Sequence, residues 1–277
     1  MKNFNWSNHM MLLAIASLLS MAQPIQAQSN GTEKIRVLSV AKTPEAATVV
    51  LAISLPKIGE ANLRNPVWVQ CRLDGYPLGA GTKNQRADEL PVSNLGQALH
   101  VVIDNNPYFP IVDQSIDPFN EDGFYFDTSY KFRIPYELAD GIHTIRMFPA
   151  RAYGESLKHE NTFQVGYFYV GTNGNGPDTD LMGPYITYNE PSNHMPLTQN
   201  KPVLLDFYIS NCELTPDGYK VRVTIDGNVK RTITSWQPYY IYGLKSGEHT
   251  VRLQLIDENA EPVPGVFNDV QRTIYIY

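Results

Sequence analysis

Four segments from the first half of the chain return, in the same order, in the second. NPVWVQCRLDG (65–75), ALHVVIDNN (98–106), GIHTIRMF (141–148) and FQVGYFYV (163–170) correspond to KPVLLDFYISNCEL (201–214), YKVRVTIDGN (219–228), GEHTVRLQL (247–255) and QRTIYIY (271–277). Each set opens on a Pro-Val strand entry and passes through a strand closing on Ile-Asp. A Gly-x-His-Thr-aliphatic-Arg strand follows, and then a strand of alternating aromatics. A repeat this long constrains the fold more than composition does, because whatever one copy forms the other must also form.

The repeated units read as half-buried strands. In 249–255, Thr250, Arg252 and Gln254 point one way while His249, Val251, Leu253 and Leu255 point the other, the period of two that a sheet with one wet face requires. Val221, Val223 and Ile225 form a second inward row, and the Asp226-Gly227-Asn228 that follows is a hairpin signal. The 17 tyrosines and 11 phenylalanines fit the same reading. No segment has an apolar stripe at helical spacing, and PYELAD at 135–140 is expected to make at most one helical turn. Short strands joined by Gly, Asn and Pro turns predict an all-β chain of two tandem immunoglobulin-like β-sandwich domains with antiparallel sheets. The TNGNGPDTDLMGP cluster (172–184) reads as the linker between domains at 28–171 and 185–277.

The closing hairpin carries a resemblance. Gly243, Leu244, Gly247, His249, Thr250, Val251, Arg252, Leu255 and Asp257, followed by a proline-bearing loop and Thr273-Ile274, resemble bacterial immunoglobulin-like or fibronectin-like accessory domains of secreted or envelope proteins. The first copy resembles them less, because it inserts residues between Ile103-Asp104 and Gly141-Ile142-His143. The resemblance implies a spacer, a docking platform or a carbohydrate-binding module, and it assigns no catalysis.

The N-terminus points to export. MKNFNWSNH carries one lysine, MMLLAIASLL is apolar but too short to span a bilayer, and Ala27 closes a small-residue site. Together they predict a signal peptide over 1–27 and a secreted or periplasmic mature chain. No cysteine follows the apolar run, so lipidation there is not expected, nor is a later membrane span. With 22 basic against 28 acidic residues the net charge is −6, which gives no reason to expect a nucleic-acid partner. The partner expected is an envelope or extracellular protein, or a glycan. Cys71 and Cys212 are open to several readings: reduced and buried, bridged between domains, reactive, or paired between molecules.

Candidate sites are few. His143 and Arg146 recur as His249 and Arg252, so they are read as serving the shared fold, the arginines covering a sheet face with their stems. The run after them in the first copy, with Arg151, Tyr153, Glu155, Lys158, His159 and Glu160, does not follow from the repeat. Arginine with tyrosine suits an acidic or sugar-like ligand, whereas an Arg151–Glu155 ion pair stiffening a loop is the plainer alternative. The insertion at 107–132 offers Tyr125 and Phe126 among other aromatics and acids, a composition that stacks sugars or folds over an open sheet end. Trp236 and Tyr239 form either a binding strip or interdomain packing.

For catalysis the chain offers no His-Glu-x-x-His, phosphate loop, nucleophile elbow or Cys-x-x-Cys. Neither a metal nor a cofactor is expected, and DPFNEDG lacks the spacing of a helix-loop-helix calcium site. A pair such as Asp122 and Glu155 would serve glycoside hydrolysis only if the two converged in space. The expectation is therefore a non-catalytic binding or scaffolding protein, with a carbohydrate-binding protein and a glycan-processing hydrolase as the alternatives.

Overall fold

The computed structural model describes residues 34–44, 48–112, 129–171 and 180–277. The expected signal peptide, most of the 107–132 insertion with Tyr125, Phe126 and Asp122, and the larger part of the expected linker lie outside the described residues. Within them the chain is all-β apart from a four-residue helix, α1 (Arg86–Glu89). The turn expected at 135–140 is not helical: it forms a bend, held by Asn65, whose side chain bonds both the N–H and the C=O of Leu138.

The strands form four sheets. In the C-terminal half, β1 (Arg36–Ser39), β14 (Tyr239–Tyr242), β11 (Val203–Ser210) and β10 (Tyr185–Glu190) lie side by side in that order. Facing them are β13 (Val229–Ile233), β12 (Lys220–Ile225), β15 (Gly247–Ile256) and β16 (Asp269–Ile276). In the N-terminal half, β2 (Val50–Leu55), β4 (Trp68–Asp74) and β7 (Ser129–Arg133) form one sheet. The other sheet runs β3 (Glu60–Leu63), β9 (Gln164–Val170), β8 (Gly141–Ala150), β5 (Ala98–Ile103) and β6 (Phe109–Ile111). The pairings are antiparallel except β3 with β9, which is parallel. The first strand does not join the half that follows it. Arg36–Ser39 pairs with the edge of β14, and Val37 enters the C-terminal core.

Each pair of sheets encloses its own core. Ile186, Phe207, Val223, Leu253 and Leu255 belong to one; Leu51, Val69, Cys71, Val101, Ile145 and Phe168 belong to the other. Strand β12 alternates half-buried and buried residues as its sequence predicts. Strands β5 and β10 are buried at every position, and β8 at nearly every position. Their outward faces are covered by the opposite half: Val102, Tyr108 and Phe148 pack with Tyr208, and Tyr153 packs with Leu204 and Tyr240. Removing both faces from water makes this seam a third hydrophobic layer. Cys71 is buried and Cys212 half-buried, and both are free thiols, so the bridged reading is excluded. Burial pushes them up to about 12 and about 11, far from the thiolate that reactivity needs.

The repeat has a physical basis in a clamp that occurs twice. Asp104 and Asp226 sit at positive φ, 52° and 50°, where Asp tolerates the left-handed region. Each carboxylate accepts from the N–H of the facing threonine, Thr144 or Thr250, at 2.8 Å. It also meets Nδ1 of His143 or His249 at 2.7 Å, and the same ring's Nε2 faces the carbonyl of Ala139 or Lys245. The His143 pKa is raised, first by its hydrogen bond to Asp104. The two arginines part company. Arg252 lies on the surface beside Asp269, whereas Arg146 is buried in the seam, 3.8 Å over the Phe267 ring. Arg146 donates to Thr187 Oγ1 at 3.1 Å and to the Asp104 carbonyl.

Arg146→Ala is therefore expected to cost about 3 kcal/mol or more, since it strips partners from buried acceptors and opens the seam. Arg252→Ala, at the equivalent position, should stay below about 1 kcal/mol. Urea unfolding of the two variants checks this, and equal losses would mean that the two arginines are equivalent after all.

Candidate functional site

The backbone after β8 does follow the repeat, although its side chains do not. Arg151 N–H donates to the Glu155 carbonyl and Gly154 N–H to the Arg151 carbonyl, both at 2.8 Å. In the second copy Asp257 and Glu261 make the first of these bonds and Ala260 and Asp257 the second. Leu157 N–H bonds Pro149 C=O as Val263 N–H bonds Leu255 C=O. Gly154 takes the left-handed position (φ 89°) that Ala260 (φ 64°) takes in the other copy. Only glycine fits there, because a Cβ would stand 2.8 Å from the Glu190 carboxylate.

What differs is where the loop faces. The 151–158 loop docks on the C-terminal half, so Arg151, Tyr153 and Glu155 are buried rather than exposed. Glu155, 1% exposed, accepts from Thr43 Oγ1 at 2.8 Å and meets Arg86 Nε at 3.1 Å and Arg151 Nη1 at 3.5 Å. Arg151 Nη2 donates to Pro44 C=O, and Tyr153 Oη accepts from Asn84. Arg86 bonds Tyr240, whose hydroxyl donates to Glu89. Burial raises the Glu155 pKa, and the Arg151 charge opposes that rise.

A second node lies on β11. Asp206 is fully enclosed, and its carboxylate accepts from Ser156 Oγ at 2.5 Å, from Asn189 Nδ2 at 2.7 Å and from the Lys158 ammonium. Asn189 Oδ1 takes a hydrogen bond from His100 Nδ1 at 2.8 Å, and the imidazole stacks on Tyr108 with centroids 3.6 Å apart. Tyr108 donates to Glu190 Oε1 at 2.6 Å, with Ser192 Oγ 3.2 Å from the same oxygen. No cation faces Glu190 in this set, so burial pushes its pKa up to about 8. Burial lowers His100 to about 4. Asp206, Asn189 and Glu190 were missed in the sequence. The available signal was a lone carboxylate inside VLLDFYI, a run too apolar to leave a charge in water.

Where this network reaches the surface there is a cleft of about 170 Å³ lined by Lys42, Thr43, Glu155, Lys158, Trp236 and Pro238. Trp236 Nε1 donates to Phe207 C=O at 2.8 Å, and its ring packs 5.6 Å from Tyr208, so the indole is fixed in place. Of the residues singled out in the sequence, the fold brings Glu155, Lys158 and Trp236 together. Arg151 and Tyr153 stay inside the seam. Tyr239 belongs to the C-terminal core, bonded to Ser235. Lys42 and Thr43 arrive from a segment more than a hundred positions away from Glu155, and nothing in the sequence signals that approach. Among the described residues no group of three His, Cys, Asp or Glu could hold a metal ion, and no helix is long and apolar enough to cross a membrane.

The seam predicts a pH dependence with two limbs. Glu190 keeps in the folded state a proton that the unfolded chain releases near 4.5, so its contribution is full below that value and is lost as pH rises toward about 8. His100 stays neutral while the unfolded ring binds a proton near 6.5, so stability also falls as pH drops from there toward about 4. Glu190→Gln should flatten the alkaline limb alone, raising Tm at pH 8 by about 5 °C relative to the parent. Calorimetry at pH 5, 6.5 and 8 measures it, and a variant less stable at pH 8 would place an ionised Glu190 in the seam.

No protein family matches the chain, and no curated protein does. Among solved structures it is similar to the fibronectin(III)-like modules of Clostridium thermocellum CbhA at 12% identity, covering 82% of this chain and 94% of that one, with a TM-score of 0.28. Dimeric latent PorU from Porphyromonas gingivalis matches at 13% identity over 89% of this chain, with a TM-score of 0.26. SGBP-B of the Bacteroides ovatus mixed-linkage glucan utilization locus, in complex with a mixed-linkage heptasaccharide, matches at 13% over 88%, with a TM-score of 0.19. The chain spans 20% and 47% of the latter two. TM-scores this low carry no argument about what the chain binds.

Proposed function

We propose that the chain is a non-catalytic, exported binding protein and that its ligand is a glycan. In this reading residues 1–27 are removed and two tandem immunoglobulin-like sandwiches, 28–171 and 185–277, are joined through 172–184. The strand Arg36–Ser39 reaches across to complete the second sandwich. The observation that carries the binding role is the cleft at the seam: a fixed indole wall over a polar floor of Glu155, Thr43 and Lys158. Aromatic faces stack on the C–H face of a sugar ring while a few placed polar groups take its hydroxyls. The buried seam favours a second reading, a rigid scaffold that spaces other envelope or extracellular proteins, because two enclosed acids, Asp206 and Glu190, tie the two halves together.

The two readings separate on a glycan array probed with the mature chain. Glycan binding predicts specific retention that drops at least about tenfold in Trp236→Ala, the loss of about 1.4 kcal/mol of stacking. Tyr277→Ala, a surface aromatic 73% exposed and remote in sequence from the cleft residues, should leave retention unchanged. Absence of any retained glycan would leave the scaffold.

A further inference from the structure

Resting on the glycan reading above, we infer that the Trp236 cleft takes one neutral pyranose ring, the terminal residue of a chain, rather than an internal segment or an acidic sugar. Size sets the first part. A protein cavity of about 150 Å³ accepts a benzene molecule, so a cleft of about 170 Å³ has room for a single six-membered ring. A second sugar stays outside. The fixed indole gives that ring one face to stack on, and its orientation does not have to be ordered on binding.

Charge sets the second part. Two lysines line the cleft, which at first suggests an anionic ligand. Lys158 is already committed, however: it is paired with the buried Asp206 carboxylate and donates to Ser156 Oγ at 2.7 Å. Thr43 Oγ1 donates to Glu155 and accepts from Arg86. The floor is Glu155, a carboxylate whose Oε2 accepts from Thr43 Oγ1 and is ion-paired with Arg86, and whose Oε1 is ion-paired with Arg151 at 3.5 Å. A carboxylate has acceptor sites for about four donors, so the floor calls for hydroxyl groups. A ligand carboxylate or sulfate would be set against Glu155 with Asp206 behind it. Among the described lining residues Lys42, exposed at the rim, opposes this, whereas Lys158 is paired with Asp206.

The test uses the mature chain with methyl glycosides of glucose, galactose, mannose and N-acetylglucosamine, with methyl glucuronide, and with linear oligosaccharides of the same sugars. Ligand-observed NMR and tryptophan fluorescence are read at low and high salt. At least one neutral monosaccharide should bind, with an affinity indifferent to salt. That affinity should fall at least about tenfold in Trp236→Ala and change by no more than about twofold in Tyr277→Ala, whose side chain is not part of the cleft lining. Trp236→Phe, which keeps an aromatic wall, should retain part of it if the alanine variant proves poorly folded. Binding of oligosaccharides without any monosaccharide would overturn the single-ring inference and leave the glycan reading standing. Tighter binding of the glucuronide, weakened by salt and by Lys42→Ala, would overturn its neutrality. If no sugar of any length binds, the glycan reading falls as well.

Discussion

Asp206 is the constraint on which the arrangement depends. It is a carboxylate with no access to water in the middle of a strand, and an unpaired charge there would be strongly unfavourable. Its partners come from elsewhere: Ser156 and Lys158 from the loop after β8, and Asn189 from β10. Satisfying it brings the 151–158 loop down onto β11. That docking buries Arg151, Tyr153 and Glu155, sets Lys158 beside Trp236 and so forms the cleft. Fold and candidate site thus share one electrostatic requirement.

The two copies show how a repeat diverges without changing its backbone. Three backbone hydrogen bonds of the loops at 151–157 and 257–263 correspond, and so do the Asp-His and Asp-Thr contacts of the two clamps. Arg146 and Arg252 start from the same position on equivalent strands, yet one stacks on Phe267 in the seam and the other faces solvent. The difference is made by what lies opposite. A sheet face that meets another sheet replaces exchangeable surface charge with buried polar side chains that depend on fixed partners, as Arg146 depends on Thr187 and the Asp104 carbonyl.

This explains what could be read from the sequence. Period-two alternation in 220–225 gave the strand and its inward face, and the recurrence of His143 and His249 correctly marked a structural role, because both properties are local. The burial of Arg151 and Glu155 was open as an ion pair but could not be placed, since Thr43 and Arg86 reach Glu155 from distant segments. The pairing of Arg36–Ser39 with β14 had no local trace at all: a four-residue strand with one buried side chain looks the same on any edge. Asp206 within VLLDFYI was the exception, a long-range contact with a one-residue signature.

A polar seam also settles a problem peculiar to a chain of two similar units. Apolar faces tolerate sliding, because a shift exchanges one set of contacts for another of nearly equal area. Hydrogen-bonded carboxylates do not: a displacement that parts Asp206 on β11 from Ser156 and Lys158 of the other half strands a buried charge at a cost of about 3–5 kcal/mol. Glu190 follows the same logic by the opposite route. With no cation opposite in this set, burial pushes its pKa up to about 8, while Tyr108 and Ser192 donate to Oε1 and hold the rise in check. The seam is therefore selective in register rather than merely sticky. That selectivity keeps the walls of the cleft, which come from three separate segments, in a single relation to one another.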